Sequence, residues 1–135
     1  MPTTSRIFLG GGALLLLLAT ALGAYGTHAL ATQLPAASWN AYSTAVDYQF
    51  YHGLGLLAVA LLGTLNPRLK SLQIAGWLIL IGTVLFCGSI YATTLGAPAG
   101  IGALAPIGGT AFMAGWLAVA SGAWVAGRGP ADPLA

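Results

Sequence analysis

The sequence predicts an all-α integral membrane protein, a compact bundle of four transmembrane helices with both termini in the cytoplasm. Three observations predict it. Hydrophobic residues make up 58% of the 135 and charged residues only 4%, whereas about a quarter of a soluble domain is charged. Four apolar stretches each reach the ~20 residues that carry a helix across a hydrocarbon core of ~30 Å, where a helix satisfies its own backbone polar groups. The basic residues Arg6, Arg68, Lys70 and Arg128 stand at the ends of those stretches. Threading the chain four times through a bilayer puts all of them on one side, and basic residues in short loops are retained in the cytoplasm.

The first span is read at about 7–26 and contains an unbroken leucine block, Leu14 to Leu18. A cleaved signal peptide is the rival reading: Arg6 as its charged region, the leucines as its apolar core, and Ala21, Gly23 and Ala24 near the cut. Against that reading, the apolar run is longer than such a core requires. The second span is read at about 46–65 and is stopped by Asn66-Pro67; the third is read at about 72–91. The fourth, at about 107–126, follows Pro106, which suits a first helical turn. Two connections, about 27–45 and about 92–105, face the other side and contain no Lys or Arg. The chain is thus one domain over 1–128, followed by a short tail at 129–135 that is expected to be mobile.

The same features exclude several functions. Four dispersed basic residues form no patch, so the net charge of +2 points to topology and not to nucleic acid. Cys87 is the single cysteine and lies mid-span, which leaves no disulfide and no cysteine metal cluster. Gly10-Gly11-Gly12 and Gly100-Ile101-Gly102 lack the strand or the Lys-Ser/Thr of a phosphate cradle. No cofactor or metal is expected, and no catalytic residue is assigned.

Helices in lipid associate through close backbone approach at small residues. In the fourth span Gly108, Ala111, Gly115, Ala118 and Gly122 recur at steps of three and four, forming one stripe suited to helix packing. Gly12, Ala19, Gly23 and Gly26 offer a similar stripe in the first span, and Gly76, Gly82 and Gly88 a looser one in the third. Such stripes serve contacts within the bundle or self-association, and the sequence does not divide them.

Polar side chains gather toward the outer face. His28 ends the first span, Asp47 opens the second with Tyr48, Tyr51 and His52 following, and Ser89 and Tyr91 close the third. On a helix Asp47, Tyr51, Tyr48 and His52 cover an arc of about 140°, with His52 about 7–8 Å deeper than Asp47. Asp47 is the one carboxylate side chain outside the tail, and a carboxylate near a membrane interface is costly unless paired. His28 is its expected partner at a shared level, with tyrosine hydroxyls as further donors. The cluster is read either as a proton-responsive or ligand-binding site or as an interhelical clamp within a belt of interfacial aromatics.

Four ordered motifs carry a family resemblance: Gly23-Ala24-Tyr25-Gly26-Thr27-His28-Ala29-Leu30, then Trp39 through His52, then Phe86-Cys87-Gly88-Ser89-Ile90-Tyr91, then Pro106-Ile107-Gly108-Gly109 with Gly115-Trp116. The chain resembles the domain-of-unknown-function 423 family, also called uncharacterised protein family 0382, of small bacterial inner-membrane proteins with transmembrane protein 256-like relatives in eukaryotes. The resemblance implies a small polytopic inner-membrane protein and brings no established activity. Tyr25 and Tyr51 depart from the residues expected there.

Two functions remain. One is a non-enzymatic accessory or assembly subunit, partnered by the lipid bilayer and by other membrane-protein subunits or by itself. The alternative is a proton-coupled permease or membrane-embedded enzyme for a small lipid-soluble molecule, working through His28 and Asp47.

Overall fold

Apart from short connections, the chain of the computed structural model is helical throughout its described residues, 1–126; Arg128 and the tail lie outside them. Helix α1 runs Thr3–Tyr25 and continues through a wider π-type turn, Gly26–Leu30; α2 runs Ala36–Leu65, α3 Lys70–Thr94, and α4 Leu104–Ala126 after a 3-10 turn at Ala99–Ala103. All four helices are long and apolar enough to cross a membrane.

Every helix begins before the apolar run that signals it, and α2 departs furthest from the sequence reading. It starts at Ala36, behind Pro35, rather than near Val46. The segment from Ala36 to Ala45 carries Ser38, Asn40, Ser43 and Thr44, which lowers its hydropathy, yet its alanines are strong helix formers. The connection expected over 27–45 is therefore mostly helix. Gly96, at φ 99°, closes α3: the Ala97 amide donates to Ala92 O at 2.9 Å and the Gly96 amide to Thr93 O at 3.2 Å. That paired arrangement needs a left-handed residue, which glycine adopts without steric strain.

Neighbours in sequence are neighbours in space and run antiparallel. Extensive seams join α1 to α2, α2 to α3 and α3 to α4, whereas α1 meets α3 only lightly. Arg6 and the Arg68/Lys70 turn thereby share one end of the bundle, and Pro2, Thr4, Asn66 and Pro67 border one small cleft there. The core divides along the axis. Toward the basic end Phe8, Leu15, Leu56, Val59, Ala60 and Ile79 pack together; toward the opposite end Leu30, Tyr42 and Val46 pack with Trp39, Phe50 and Tyr91.

Small residues set how closely the seams approach. A Cβ on Gly108 would sit 2.5 Å from the Phe86 backbone nitrogen and 2.8 Å from Gly82 O, and one on Gly12 would sit 2.9 Å from Gly53 O. Gly108, Gly115 and Gly122 are buried against α3, with Ala111 and Ala118 half-buried between them. Gly88 is different: it is exposed, and a Cβ there would meet nothing within 4 Å, so it belongs to no seam. Its place on the third stripe fails because that stripe drifts around the helix between Gly82 and Gly88.

Candidate functional site

Polar groups inside an apolar bundle must find partners, since no water competes for them. Threonines do so locally: Thr83 Oγ1 donates to Ile79 O at 2.8 Å and Thr64 Oγ1 to Ala60 O at 2.9 Å, each one turn back along its own helix. Gln49 and two tyrosines do so across helices. The buried Gln49 donates through Nε2 to Leu15 O at 2.9 Å and accepts from the Tyr91 hydroxyl at 2.8 Å. One side chain thus joins α1, α2 and α3. Tyr42 donates to Leu22 O at 2.7 Å, and its ring lies 5.2 Å from Tyr91 and stacks at 6.1 Å on Trp39.

The second arrangement lies on the other side of α2. Although α2 and α4 both flank α3, no extensive backbone seam joins them, and the notch between them is an aromatic groove of ≈ 990 Å³. Tyr48, Tyr51 and His52 of α2, Phe86 of α3, and Phe112 and Trp116 of α4 line it. His52 is only 5% exposed. Phe112 stacks on its ring at 3.5 Å and 13°, and Trp116 approaches to 6.0 Å. His52 Nδ1 lies 2.7 Å from Tyr48 O. A carbonyl oxygen only accepts, so Nδ1 carries the proton and Nε2 of the neutral ring carries a lone pair.

The expected pairing of Asp47 with His28 does not occur. Both side chains are exposed, and neither has a hydrogen-bond or ion-pair partner among the described residues. Register explains the failure. Gly23 sits against Val46 and Gly26 against Tyr42, which puts Asp47 level with the turn before Gly23 while His28 lies beyond Gly26. The two are about 10 Å apart along the axis. The continuation of α1 through Gly26–Leu30 carries His28 outward, past the level assumed from span length.

The remaining members of the expected cluster separate. Tyr48 stacks on Phe86 at 5.0 Å, Tyr51 is 61% exposed at the groove rim, and His52 forms the groove's inner wall. Ser89 is buried and donates to Phe86 O at 3.0 Å within α3, and Tyr91 belongs to the Gln49 bridge. No three His, Cys, Asp or Glu side chains converge as metal ligands among the described residues.

Comparison with known proteins places this architecture. A family model described as a protein of unknown function (DUF423) matches residues 22–109. The UPF0382 membrane protein YwdK of Bacillus subtilis is 39% identical over 114 residues, 84% of this chain and 93% of the relative. The chain belongs to the DUF423 family. A UPF0382 membrane protein of Staphylococcus saprophyticus is 40% identical over 118 residues, covering 87% of this chain and 96% of the relative, and one of Haemophilus influenzae is 38% identical over 104 residues, 77% and 82% respectively. No solved structure matches the chain.

In this DUF423 chain sequence reasoning missed Gln49, Tyr42 and the aromatic floor of the groove. Gln49 had a usable signal: with Tyr42, Val46, Gly53, Leu56 and Ala60 it falls on one buried stripe of α2, at the three- and four-residue steps of a helix face. The groove had none, because Phe86, Phe112 and Trp116 read as ordinary lipid-facing aromatics until two helices are set beside a third.

Proposed function

We propose that this small polytopic membrane protein is a non-enzymatic accessory or assembly subunit of a larger complex in the bacterial cytoplasmic membrane, with the Arg6 and Arg68/Lys70 end facing the cytoplasm. The observation that carries the reading is Asp47. It stands on the outward stripe of α2 with Asn40, Thr44 and Tyr51, and all four are exposed. Beyond them that stripe continues with Leu54, Ala58, Leu61 and Leu65, also exposed. Asp47 is about 27 Å from the Leu65 end of the helix, near the boundary of the hydrocarbon. A carboxylate at that depth without an internal partner is costly, and a donor or cation from a second polypeptide would offset the cost. The apolar continuation of the stripe supplies the rest of a helix-packing surface.

The permease or enzyme reading has less support, because the His28 and Asp47 side chains it relies on lie apart and are each exposed. A photo-reactive phenylalanine analogue at Tyr51, irradiated in native membranes, tests the accessory reading. A fixed set of other polypeptides should cross-link, and Asp47→Leu should reduce the yield severalfold. Adducts confined to lipid, or to a second copy of this chain, would overturn it, the latter in favour of self-association. Reporter fusions near Pro98 test the orientation: a reporter active only in the cytoplasm should be silent there.

A further inference from the structure

The groove between α2 and α4 holds one buried group whose hydrogen-bonding capacity the chain leaves unused. His52 spends its single proton on Tyr48 O, and no second hydrogen bond to its ring occurs among the described residues. No sealed side-chain nitrogen or oxygen among the described residues lacks a partner, so Nε2 is not sealed and keeps access to the groove that His52 lines. Its lone pair therefore opens on a space lined by aromatic rings together with the aliphatic side chains of Met113 and Leu117 and one hydroxyl, that of Thr110, which is spent on Pro106 O. Among the described residues no carboxylate lines the groove, so a proton on Nε2 would have no counter-ion there.

The location selects the ligand's solubility. His52 lies thirteen residues before the end of α2 at Leu65, about 20 Å along the helix and well inside the hydrocarbon depth. Its lining residues Tyr51, Met113 and Leu117 are exposed on the bundle's outer surface, which opens the groove sideways to lipid. The walls select shape. Tyr48, Phe86, Phe112 and Trp116 offer offset and edge contacts for a flat ring, and a volume of ≈ 990 Å³ exceeds what a bicyclic aromatic molecule needs.

We propose that this groove binds a lipid-soluble aromatic molecule bearing a hydroxyl group, a phenol or hydroquinone in chemical class, whose O–H donates to His52 Nε2 while its ring packs between Phe112, Trp116 and Tyr48. A molecule with only acceptor oxygens meets the same lone pair without a proton to share and is discriminated against. No covalent step is involved, and the site shares only the rim residue Tyr51 with the Asp47 stripe that the accessory reading uses.

The test uses the full chain in lipid nanodiscs, with empty nanodiscs correcting for partition, and two probes of nearly equal size: 1-naphthol and 1-methoxynaphthalene. Naphthol should bind about tenfold more tightly, the worth of one hydrogen bond made away from water. In protein labelled with ¹⁵N at histidine, the His52 Nε2 resonance should shift with naphthol and stay in place with the methoxy compound. His52→Phe keeps a stacking ring and removes the acceptor, so it should bind both probes equally. Equal affinity of the two probes for the native chain, a naphthol preference that survives His52→Phe, or an unmoved Nε2 signal at saturating naphthol would each overturn the proposal. The resonance experiment decides even if the variant fails to fold.

Discussion

The seams of this bundle and its notch are built from similar residues to opposite effect. Along α1–α2 and α3–α4, glycines bring backbones together, and the polar groups caught between helices are matched: Gln49 with Leu15 O and Tyr91, Tyr42 with Leu22 O. Between α2 and α4 large rings hold the backbones apart. A Cβ on Gly55 would lie 2.7 Å from the Trp116 ring, so even the glycine here makes room for an indole instead of a helix. The seams end with these cross-helix donors and acceptors used; the notch ends with His52 Nε2 unspent. In a bilayer, where apolar surface supplies little drive for association, that contrast separates the part that holds the fold from the part left open to a visitor.

The strongest way to break the comparison is to put bulk on a seam where backbone is the obstacle. Gly108→Leu should collapse the α3–α4 contact, since the groups facing its Cβ are the Phe86 nitrogen at 2.5 Å and Gly82 O at 2.8 Å, and neither can rotate away. The expected loss is about 3 kcal/mol or more, read as a failed or strongly lowered thermal transition in detergent. Gly115→Leu should cost less, about 1–3 kcal/mol, because its nearest neighbour is a side-chain atom, Ile79 Cγ1 at 3.0 Å. Equal tolerance of the two would show that backbone contact does not set the seam.

Next in size is the Gln49 bridge. Gln49→Leu and Tyr91→Phe should each destabilise by about 1–3 kcal/mol, the first by leaving the Tyr91 hydroxyl unpaired in an apolar interior and the second by leaving the buried Gln49 Oε1 without its donor. In a double-mutant cycle Gln49→Leu with Tyr91→Phe should lose less than the sum of the two, because the second change removes the orphan created by the first. Strict additivity in chemical unfolding would mean that the bridge is not made. The notch should be far less sensitive: Met113→Ala, at a side chain 63% exposed on its rim, should alter stability by no more than about 0.5 kcal/mol.

How much of this was legible in the sequence follows the same division. The four helices were legible because a membrane helix must be both long and apolar, and one linear stretch shows both. The small stripe of α4 could be read too, since Gly108, Gly115 and Gly122 announce their common face by spacing alone. The polar arrangement could not. Whether Asp47 meets His28 depends on the register between two helices, and a π-type turn of five residues, Gly26–Leu30, carries His28 outward without changing the composition. The start of α2 was hidden for a related reason: Ala36 to Ala45 is helical in propensity but too polar to register as a span.

The smallest expected effect separates a side chain that holds the bundle from one that faces outward. Asp47 was expected to tie α1 to α2, and a tie of that kind would make its loss costly. In the structure the carboxylate is exposed and has no partner among the described residues, so no donor is orphaned when it is removed. Asp47→Asn should therefore leave the unfolding of the purified chain within about 0.5 kcal/mol of native, well below the loss expected for Gln49→Leu one half-turn further along the same helix. The same substitution should lower the Tyr51 cross-linking yield in native membranes, where a partner is present to miss the charge. A loss of 1 kcal/mol or more in the purified chain, about the size of a broken internal hydrogen bond, would restore Asp47 to the clamp and remove the reason for seeking its partner outside the molecule.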